Sequence, residues 1–186
     1  MPKVLTILAE GFEEIEAVTI IDVLRRAGVD VVAAGMDSIR VTGSHAIQLQ
    51  TDCTLADAIQ EQDSFDMLVL PGGLPGAHNL RDNAAVIELV QYFHRCAKIT
   101  AAICAAPVVL AKAGVLEGRQ ATSYPGHLEG LKDPAIRILP AAVVTDDTVV
   151  TSRGPATAIA FSLELVALLE GQDAAQDLAA KMLVLK

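Results

Sequence analysis

Short apolar runs alternate with stretches of helical periodicity along the chain. Compact runs of Val, Ile, Leu and Ala predict strands, and apolar residues that recur every three or four positions predict helices. This alternation predicts an α/β fold in which a mostly parallel central sheet has helices on both faces. The predicted strands are 4–9, 29–34, 66–70, 99–103, 120–123, 142–145 and 149–152, with a hairpin or edge pair at 39–42 and 47–49. The predicted helices are 13–27, 55–60, 84–95, 107–113, 156–170 and 174–183.

The first predicted helix carries one apolar stripe. Its members are spaced for a buried face, and Gly28 follows as a C-terminal stop. Glu16 lies next in phase to that stripe, which leaves two alternatives open: a partly desolvated carboxyl or an ordinary solvated one. The stripe consists of Ile15, Val18, Ile21 and Leu24.

Unusual residues follow four of the predicted strands. In sheets of this type, ligands bind outside the carboxyl ends of the strands. We therefore expect the four segments to meet at one rim of the sheet. They are residues 10–13, 71–73, Cys104 and 153–155.

Composition limits the classes of protein. The 186 residues are 52% hydrophobic, which is enough for one core, so we expect a single domain over 1–186. The formal net charge of −9 argues against constitutive nucleic-acid binding, which needs a basic face. The N-terminus lacks a full signal peptide, and no apolar run reaches about 18 residues, so we expect neither secretion nor a membrane span.

The cysteines favour a reducing compartment. Cys53, Cys96 and Cys104 are odd in number and fit neither a zinc pattern nor a CxxC motif. A cytoplasmic location is therefore expected. The four histidines also lack metal-ligand spacing, and no metal site is predicted.

Cys104 is the candidate nucleophile. It lies where the strand 99–103 passes into the helix 107–113, with small alanines on its C-terminal side. A thiol at the N-terminus of a helix ionises readily, and the thiolate is the reactive form. The alternative is an inert core cysteine.

Three further parts of a site are candidates. If Glu16 lies near Cys104, two adjacent negative charges are disfavoured, so a protonated Glu16 that donates to a thiolate is the workable arrangement. The N–H groups of Gly72, Gly73 and Ala105 could form an oxyanion hole, although Gly72 and Gly73 also suit a simple turn. His127, in a loop, could pair with Cys104.

Five segments in this order resemble the ThiJ/PfpI superfamily and, within it, the branch of the Parkinson-disease-associated deglycase (the DJ-one proteins). The resemblance runs nearly from end to end of the chain. The segments are 9–16, 21–28, 68–73, 101–107 and 151–155.

The resemblance implies a flavodoxin-like three-layer sandwich that forms homodimers, with the first helix near the subunit interface. It implies that Cys104 is the nucleophile, that Glu16 is its paired carboxyl, and that Gly72, Gly73 and Ala105 surround the thiol. The implied activities need no cofactor: conversion of methylglyoxal to lactate, repair of glycated groups, and protection against oxidative stress.

Two departures from the family pattern bear on the chemistry. Some members of the branch have a histidine where this chain has Tyr124, and Tyr124 is a poor base at neutral pH. The peptidases of the superfamily have a histidine directly after the cysteine, where this chain has Ala105, which argues against a peptidase. The sequence thus predicts a glyoxalase or deglycase acting on small aldehydes or glycated groups. The alternative is a redox-sensing, stress-protective chaperone that uses the same cysteine.

Overall fold

The computed structural model describes residues 1–184 and has a seven-stranded sheet at its centre. The strands of the chain are β1 (Lys3–Leu8), β2 (Asp30–Gly35), β3 (Arg40–Thr42), β4 (Gln48–Gln50), β5 (Cys53–Thr54), β6 (Met67–Leu70), β7 (Ile99–Ile103), β8 (Gln120–Ala121), β9 (Arg137–Ile138), β10 (Val143–Asp146) and β11 (Val149–Ser152). The order in the central sheet is β10-β11-β7-β6-β1-β2-β5. All neighbours are parallel except β10 and β11, so the sheet is mixed but mostly parallel.

Helices cover both faces of this sheet, which confirms the predicted α/β architecture. Helix α7 packs against both α1 and α8, and α3, α4 and α5 form a second contacting group. The helices are α1 (Glu14–Arg26), α2 (Leu55–Gln60), α3 (Gly76–Asp82), α4 (Ala84–Arg95), α5 (Pro107–Lys112), α6 (His127–Leu131), α7 (Ala158–Glu170) and α8 (Gln172–Lys181). Short 3₁₀ turns at Gln62–Ser64 and Pro155–Thr157 complete the elements.

The core lies on both sides of the central strands. Every residue of β6 is buried, and four of the five residues of β7 are buried, because a parallel strand between two helical layers has no solvent face. Aromatic residues are scarce, at 3%, so aliphatic side chains fill most of the interior. The parallel arrangement of β1, β6, β7 and β11 brings their carboxyl ends to one rim, as predicted.

Local sequence explains where the helices begin and end. Thr54 and Asp57 form a capping box at α2, and Asn83 accepts hydrogen bonds from the first N–H groups of α4. Pro107 occupies the first turn of α5, where a missing N–H costs nothing. Gly28 follows the C-cap residue of α1 and has a φ of +84°. Glycine favours this left-handed conformation, which ends the helix.

The predicted buried face of α1 is correct for Ile21 and Leu24, which pack on the core, and wrong for the first two members of the stripe. Ile15 and Val18 are 58% and 47% exposed, whereas Ala17, Ile20 and Val23 face the core. The helix has two apolar stripes, and periodicity alone does not say which one meets the sheet. The inner stripe also carries the acidic Glu16, a residue that the pattern counts as polar.

Several short elements were not predicted from the sequence or have bounds that differ from the predicted ones. Helices α3 and α6 and the two-residue strands β5 and β9 were not predicted, because a few residues show no period. The predicted strand 120–123 shortens to β8, which pairs with β9 in a separate two-stranded sheet, and the hairpin of β3 and β4 forms another. Among residues 1–184, no helix is both long and apolar enough to cross a membrane.

Candidate active site

Cys104 lies in a tight turn between β7 and α5. Its φ of +64° is in the left-handed region, which costs a non-glycine residue of the order of 1 kcal/mol. The Cys104 N–H donates to the Ser152 carbonyl (2.9 Å), and the Cys104 carbonyl accepts from the Tyr124 N–H (2.8 Å). Backbone contacts on two sides therefore hold this conformation, and the side chain is 9% exposed.

Glu16 approaches the same point from α1 and is fully buried, so the solvated alternative for this residue is wrong. Its backbone N–H donates to the Glu13 carboxylate at the helix N-terminus (2.7 Å). Its Oε2 accepts from the Gly72 N–H (2.8 Å). A Cβ added at Gly72 would lie 2.7 Å from Cys104 Cβ and 2.9 Å from Glu16 Oε2. The Glu16 carboxyl and the Cys104 side chain therefore both lie against Gly72, where only glycine fits.

Burial controls the pKa of Glu16. Removal from water raises this pKa to about 7, although the Gly72 N–H and the Cys104 thiol oppose the shift. Glu16 Oε1 is buried and accepts no hydrogen bond from any residue of 1–184. Burying an ionised carboxylate oxygen that receives no hydrogen bond costs free energy. A protonated carboxyl is neutral and donates a hydrogen bond instead of requiring one, so its burial costs less. These observations favour a protonated Glu16 at and below neutral pH.

The pKa of Cys104 shifts in the direction opposite to our expectation. Burial raises it, and an ionised Glu16 raises it further, to about 12. The N–H groups of Gly73 and Ala105 lower the pKa of Cys104, but by less than burial and Glu16 raise it. The prediction that the helix N-terminus alone makes this thiol readily ionised is therefore wrong, because α5 has only six residues and Glu16 is close.

The two side chains form one coupled unit. Two negative charges cannot share the buried site, so the pair holds one proton over a wide pH range. That proton is on the thiol or on the carboxyl. With the proton on Glu16, burial still raises the pKa of Cys104, but the charge repulsion that raises it further disappears, and the acid can donate to the thiolate.

The glycine loop after β6 supplies donors, but not all to the thiol. Gly73, with a φ of +93°, and Ala105 direct N–H groups at the Cys104 sulfur. The predicted role of Gly72 as a third donor around the thiol changes, because its N–H donates to Glu16. A Cβ at Gly73 would lie 2.3 Å from the Glu13 N atom, so close packing on α1 requires glycine there too.

His127 lies near the site without joining it. It is partly buried, and burial together with neighbouring His78 lowers its pKa. Its ring packs edge-on to Tyr124, with 6.0 Å between centroids. No hydrogen bond joins His127 to Cys104 among the described residues, so the structure does not bring this pair together.

A second cluster of acids lies at the start of α1, where Glu13 and Glu14 are buried rather than solvated. Hydrogen bonds from His45 and Ile47 overcome the effect of burial and lower the pKa of Glu14 to about 2. Ligand atoms of Glu13, Glu14 and His45 lie within 4.8 Å of one another, close enough for a metal ion. Both carboxylates already have structural roles, one as the cap of α1 and one as the anchor of the β3–β4 turn. Sequence gave no sign of the Glu14–His45 contact, because 31 residues separate its members.

Two cavities lie near the elements that carry the candidate site residues. One of about 300 Å³ lies beside the Cys104 turn and is lined by Tyr124, Pro125 and residues 153–157. The other, of about 290 Å³, lies between α1 and the β3–β4 hairpin, and neither Cys104 nor Glu16 lines either cavity. The wall of the first cavity contacts the Cys104 turn, because the Tyr124 N–H donates to the Cys104 carbonyl.

Fold and site together define a class: a flavodoxin-like α/β protein with a cysteine–carboxyl pair at the carboxyl rim of its sheet. The sequence model of the DJ-1/PfpI family matches residues 2–168. The chain belongs to the DJ-1/PfpI family, which confirms the resemblance seen in the sequence.

Named relatives agree with this assignment. Protein dj-1beta of Drosophila melanogaster is 40% identical over 181 residues, covering 97% of this chain and 96% of its own. A deglycase of Pyrococcus horikoshii is 34% identical over 168 residues, covering 90% and 99%. The crystal structure of Drosophila DJ-1beta superposes with a TM-score of 0.94 at 39% identity, covering 100% of this chain and 99% of that one. Oxidized DJ-1 of Toxoplasma gondii superposes with a TM-score of 0.92 at 38% identity, covering 98% of both chains.

Proposed function

We propose that this protein is a cofactor-independent cysteine enzyme that acts on small reactive carbonyl compounds, with glyoxalase or deglycase activity. The observation that carries the proposal is the buried Glu16 facing Cys104, with its own pKa raised to about 7. An acid with a pKa near the working pH can both donate and accept a proton.

The first step joins sulfur to carbon. With the proton on Glu16, the Cys104 thiolate attacks the aldehyde carbon of methylglyoxal, and a C–S bond forms while the C=O π bond opens. The oxyanion receives the Glu16 proton, and the N–H groups of Gly73 and Ala105, which point at the sulfur, stabilise developing charge nearby. The product is a hemithioacetal.

The second step moves a hydrogen within the adduct. The Glu16 carboxylate removes the proton from the former aldehyde carbon, and the ketone oxygen takes up a proton, which gives an enediol. Glu16 returns its proton to the neighbouring carbon while the hydroxyl on the sulfur-bearing carbon loses its proton and becomes the thioester C=O, which leaves a lactoyl thioester on Cys104. Water hydrolyses the thioester, giving lactate and the original thiol. Atoms balance without an external oxidant, because one carbon is oxidised while its neighbour is reduced.

Deglycation would use the same pair. The P. horikoshii relative is named a deglycase, and an aldehyde adduct of an amine or thiol presents the same carbonyl-derived carbon to Cys104. Deglycation would differ from the methylglyoxal reaction in that the amine or thiol of the adduct leaves before the thioester is hydrolysed.

Methylglyoxal consumption and lactate formation test the proposal in wild type, Cys104→Ser and Glu16→Gln. We expect Cys104→Ser to lose turnover and Glu16→Gln to lose at least 100-fold, a typical contribution of a general acid–base group. Cys96→Ser is the matched control, because Cys96 is an exposed free cysteine outside the site. Turnover that survives in Cys104→Ser contradicts the proposal.

A redox role for the same cysteine is the second candidate. Cys104 is 9% exposed, and Glu16 could donate a hydrogen bond to an oxidised sulfur as proposed for the thiolate. The solved Toxoplasma relative is described as oxidized. In this role the thiolate reduces peroxide to water and becomes a sulfenic acid, and a second peroxide gives the sulfinate.

Intact mass after mild peroxide treatment tests the redox role. We expect addition of one or two oxygen atoms in wild type and in Cys96→Ser, and none in Cys104→Ser. Oxygen addition that is equal at Cys96 and Cys104 would contradict selective sensing.

A homodimer is the assembly that we propose. Ile15 and Val18 are exposed one turn apart on α1, and Ile47, 54% exposed, adjoins them because its N–H contacts the Glu14 carboxylate. A cluster of large apolar side chains on one face is typical of a subunit interface. The family resemblance implies a first helix near the subunit interface, which supports this proposal.

A further inference from the structure

The cavity beside Cys104 is tied to the nucleophile on two sides. Tyr124, on one wall, donates its backbone N–H to the Cys104 carbonyl. Arg153, on the other wall, directly follows Ser152, whose carbonyl accepts from the Cys104 N–H. The walls of this space of about 300 Å³ therefore adjoin the backbone of Cys104, although Cys104 itself is not among the residues that line it.

The walls of this cavity are mainly apolar. Tyr124, half-exposed, presents its ring there, with Pro125 and Pro155 nearby. A Cβ added at Gly154 would lie 3.4 Å from the Tyr124 ring, so the ring lies against bare backbone and forms a flat surface. Such a surface suits a planar, apolar body.

Arg153 is the exception to this apolar lining. Within 1–184, four arginines lack a carboxylate partner, and three of them are exposed: Arg40, Arg95 and Arg137. Arg153 is partly buried, and its side chain makes no hydrogen bond within the described residues. A guanidinium that is partly removed from water and lacks an acid interacts more strongly with an anionic ligand than a fully solvated one.

We propose that this cavity is the specificity pocket of the enzyme and that Arg153 binds a carboxylate carried by the substrate. The apolar body of that substrate lies against Tyr124, and its carbonyl carbon reaches Cys104. The proposal rests on the carbonyl chemistry proposed above and adds a preferred class of substrate beyond methylglyoxal, which has no carboxylate: small carbonyl compounds or glycation adducts that carry one carboxylate.

A carboxylate fits better than a phosphate. One guanidinium matches one carboxylate in charge and in its paired donors. A phosphate dianion calls for further cations, and no lysine or second arginine lines the cavity among the residues that the structure describes. The net charge of −9 also provides no general attraction for a dianion.

Protection of Cys104 from alkylation by iodoacetamide tests this pocket without requiring turnover. Benzoylformate has an aromatic ring, a ketone and a carboxylate, and acetophenone has the ring and ketone alone. We expect benzoylformate to protect wild type at about one tenth of the acetophenone concentration, and Arg153→Met to abolish this preference. Arg153→Lys should retain part of it. Arg95→Met, which removes an exposed charge elsewhere, should retain all of it.

Two further results bear on the proposal. Tyr124→Ala should weaken protection by both compounds and leave their ratio intact, because the ring contacts the body that they share. An unchanged ratio in Arg153→Met, or stronger protection by phenylphosphonate than by benzoylformate, overturns the proposal. Protection measures binding and does not require turnover. Failure to consume methylglyoxal would therefore contradict the proposed enzyme activity, but it would not affect the comparison of the two protecting compounds.

Discussion

At the scale of single residues, the site depends on a proton that two buried groups share. Glu16 is fully buried on α1, and Cys104 is held in a left-handed turn. Gly72 separates them and supplies an N–H to the acid. The chemistry follows from this enforced proximity more than from the helix that begins after Cys104.

The shared proton predicts a pH-dependent difference in stability between wild type and Glu16→Gln. The folded pKa of Glu16 is raised from 4.5 to about 7, so its protonated form stabilises the fold below pH 4.5 and that contribution is lost as pH rises to about 7. Urea unfolding from pH 4 to pH 8 should show Glu16→Gln gaining about 3 kcal/mol relative to wild type across this window. A difference that does not vary with pH would contradict the burial of an ionisable acid.

Gly72→Ala should damage the site through shape. The new Cβ would lie 2.7 Å from Cys104 Cβ and 2.8 Å from the Ile103 carbonyl, and the backbone there cannot yield cheaply. We expect a loss of about 1–3 kcal/mol in unfolding free energy and at least a tenfold loss of turnover. Gly130→Ala is the control, since nothing lies within 4 Å of its added Cβ. Equal behaviour of the two variants would contradict the packing described.

The sequence predicted that Cys104 and Glu16 form a pair because each stands at a distinctive position, a strand end and a helix phase next to an apolar stripe, and the structure brings the two side chains together. Sequence reasoning missed the acceptor of the Gly72 N–H and the sign of the Cys104 pKa shift. Both depend on distances across 56 residues or more, which no local pattern contains.

At the scale of elements, the β3–β4 hairpin is held to α1 by one buried carboxylate. Glu14 accepts from the His45 N–H (2.6 Å) and interacts with the His45 ring (3.0 Å). The turn that carries Ile47 is thereby fixed against the first turn of the helix.

Glu14→Gln should loosen this hairpin. Hydrogen bonds to a charged acceptor are replaced by weaker ones, so we expect a loss of about 2 kcal/mol at pH 7. The folded pKa of Glu14 is about 2, below the ordinary 4.5, so its contribution is present above pH 4.5 and is lost as pH falls towards 2. Hydrogen exchange of residues 40–50 at pH 7 and pH 3 measures this. Asp22→Asn, at an exposed ion pair on the same helix, is the control; equal effects would contradict a buried anchor.

The lengths of the elements explain which were predictable. Helices 55–60 and 84–95 and strands 99–103 and 149–152 have the predicted bounds, because their apolar runs are bounded by caps or turns. α3 and α6 have seven and five residues, too few for a period to show. α1 was placed correctly, but the inward-facing residues of its first half were assigned wrongly, because both of its stripes are apolar.

At the scale of the whole molecule, the strand order is what assembles the site. β1, β6, β7 and β11 are parallel, so the segments after them meet at one rim although the sequence separates them by more than 100 residues. The alternation of elements predicted the layers. It did not predict that β8 leaves the sheet or that β10 runs antiparallel at its edge.

The outer face of α1 predicts self-association. Val18→Glu would place a charge among Ile15 and Ile47, so we expect sedimentation velocity to show a dimer for wild type and a monomer for the variant. Leu131→Glu, at a similarly exposed apolar residue on α6, should remain dimeric. A wild-type monomer, or equal behaviour of the two variants, would contradict the proposed interface.

The pH dependence of Cys104 alkylation, in wild type and Glu16→Gln, tests the central claim most directly. If the pair holds its proton on Glu16, wild type should gain reactivity with an inflection near pH 7, set by the first proton that the pair releases. Glu16→Gln, whose buried thiol lacks this partner, should titrate above the free-cysteine value of about 8.5. The contrary result is a wild-type thiol that stays unreactive until pH approaches 12 while Glu16→Gln reacts at lower pH, which would mean that Glu16 suppresses the thiolate instead of stabilising it.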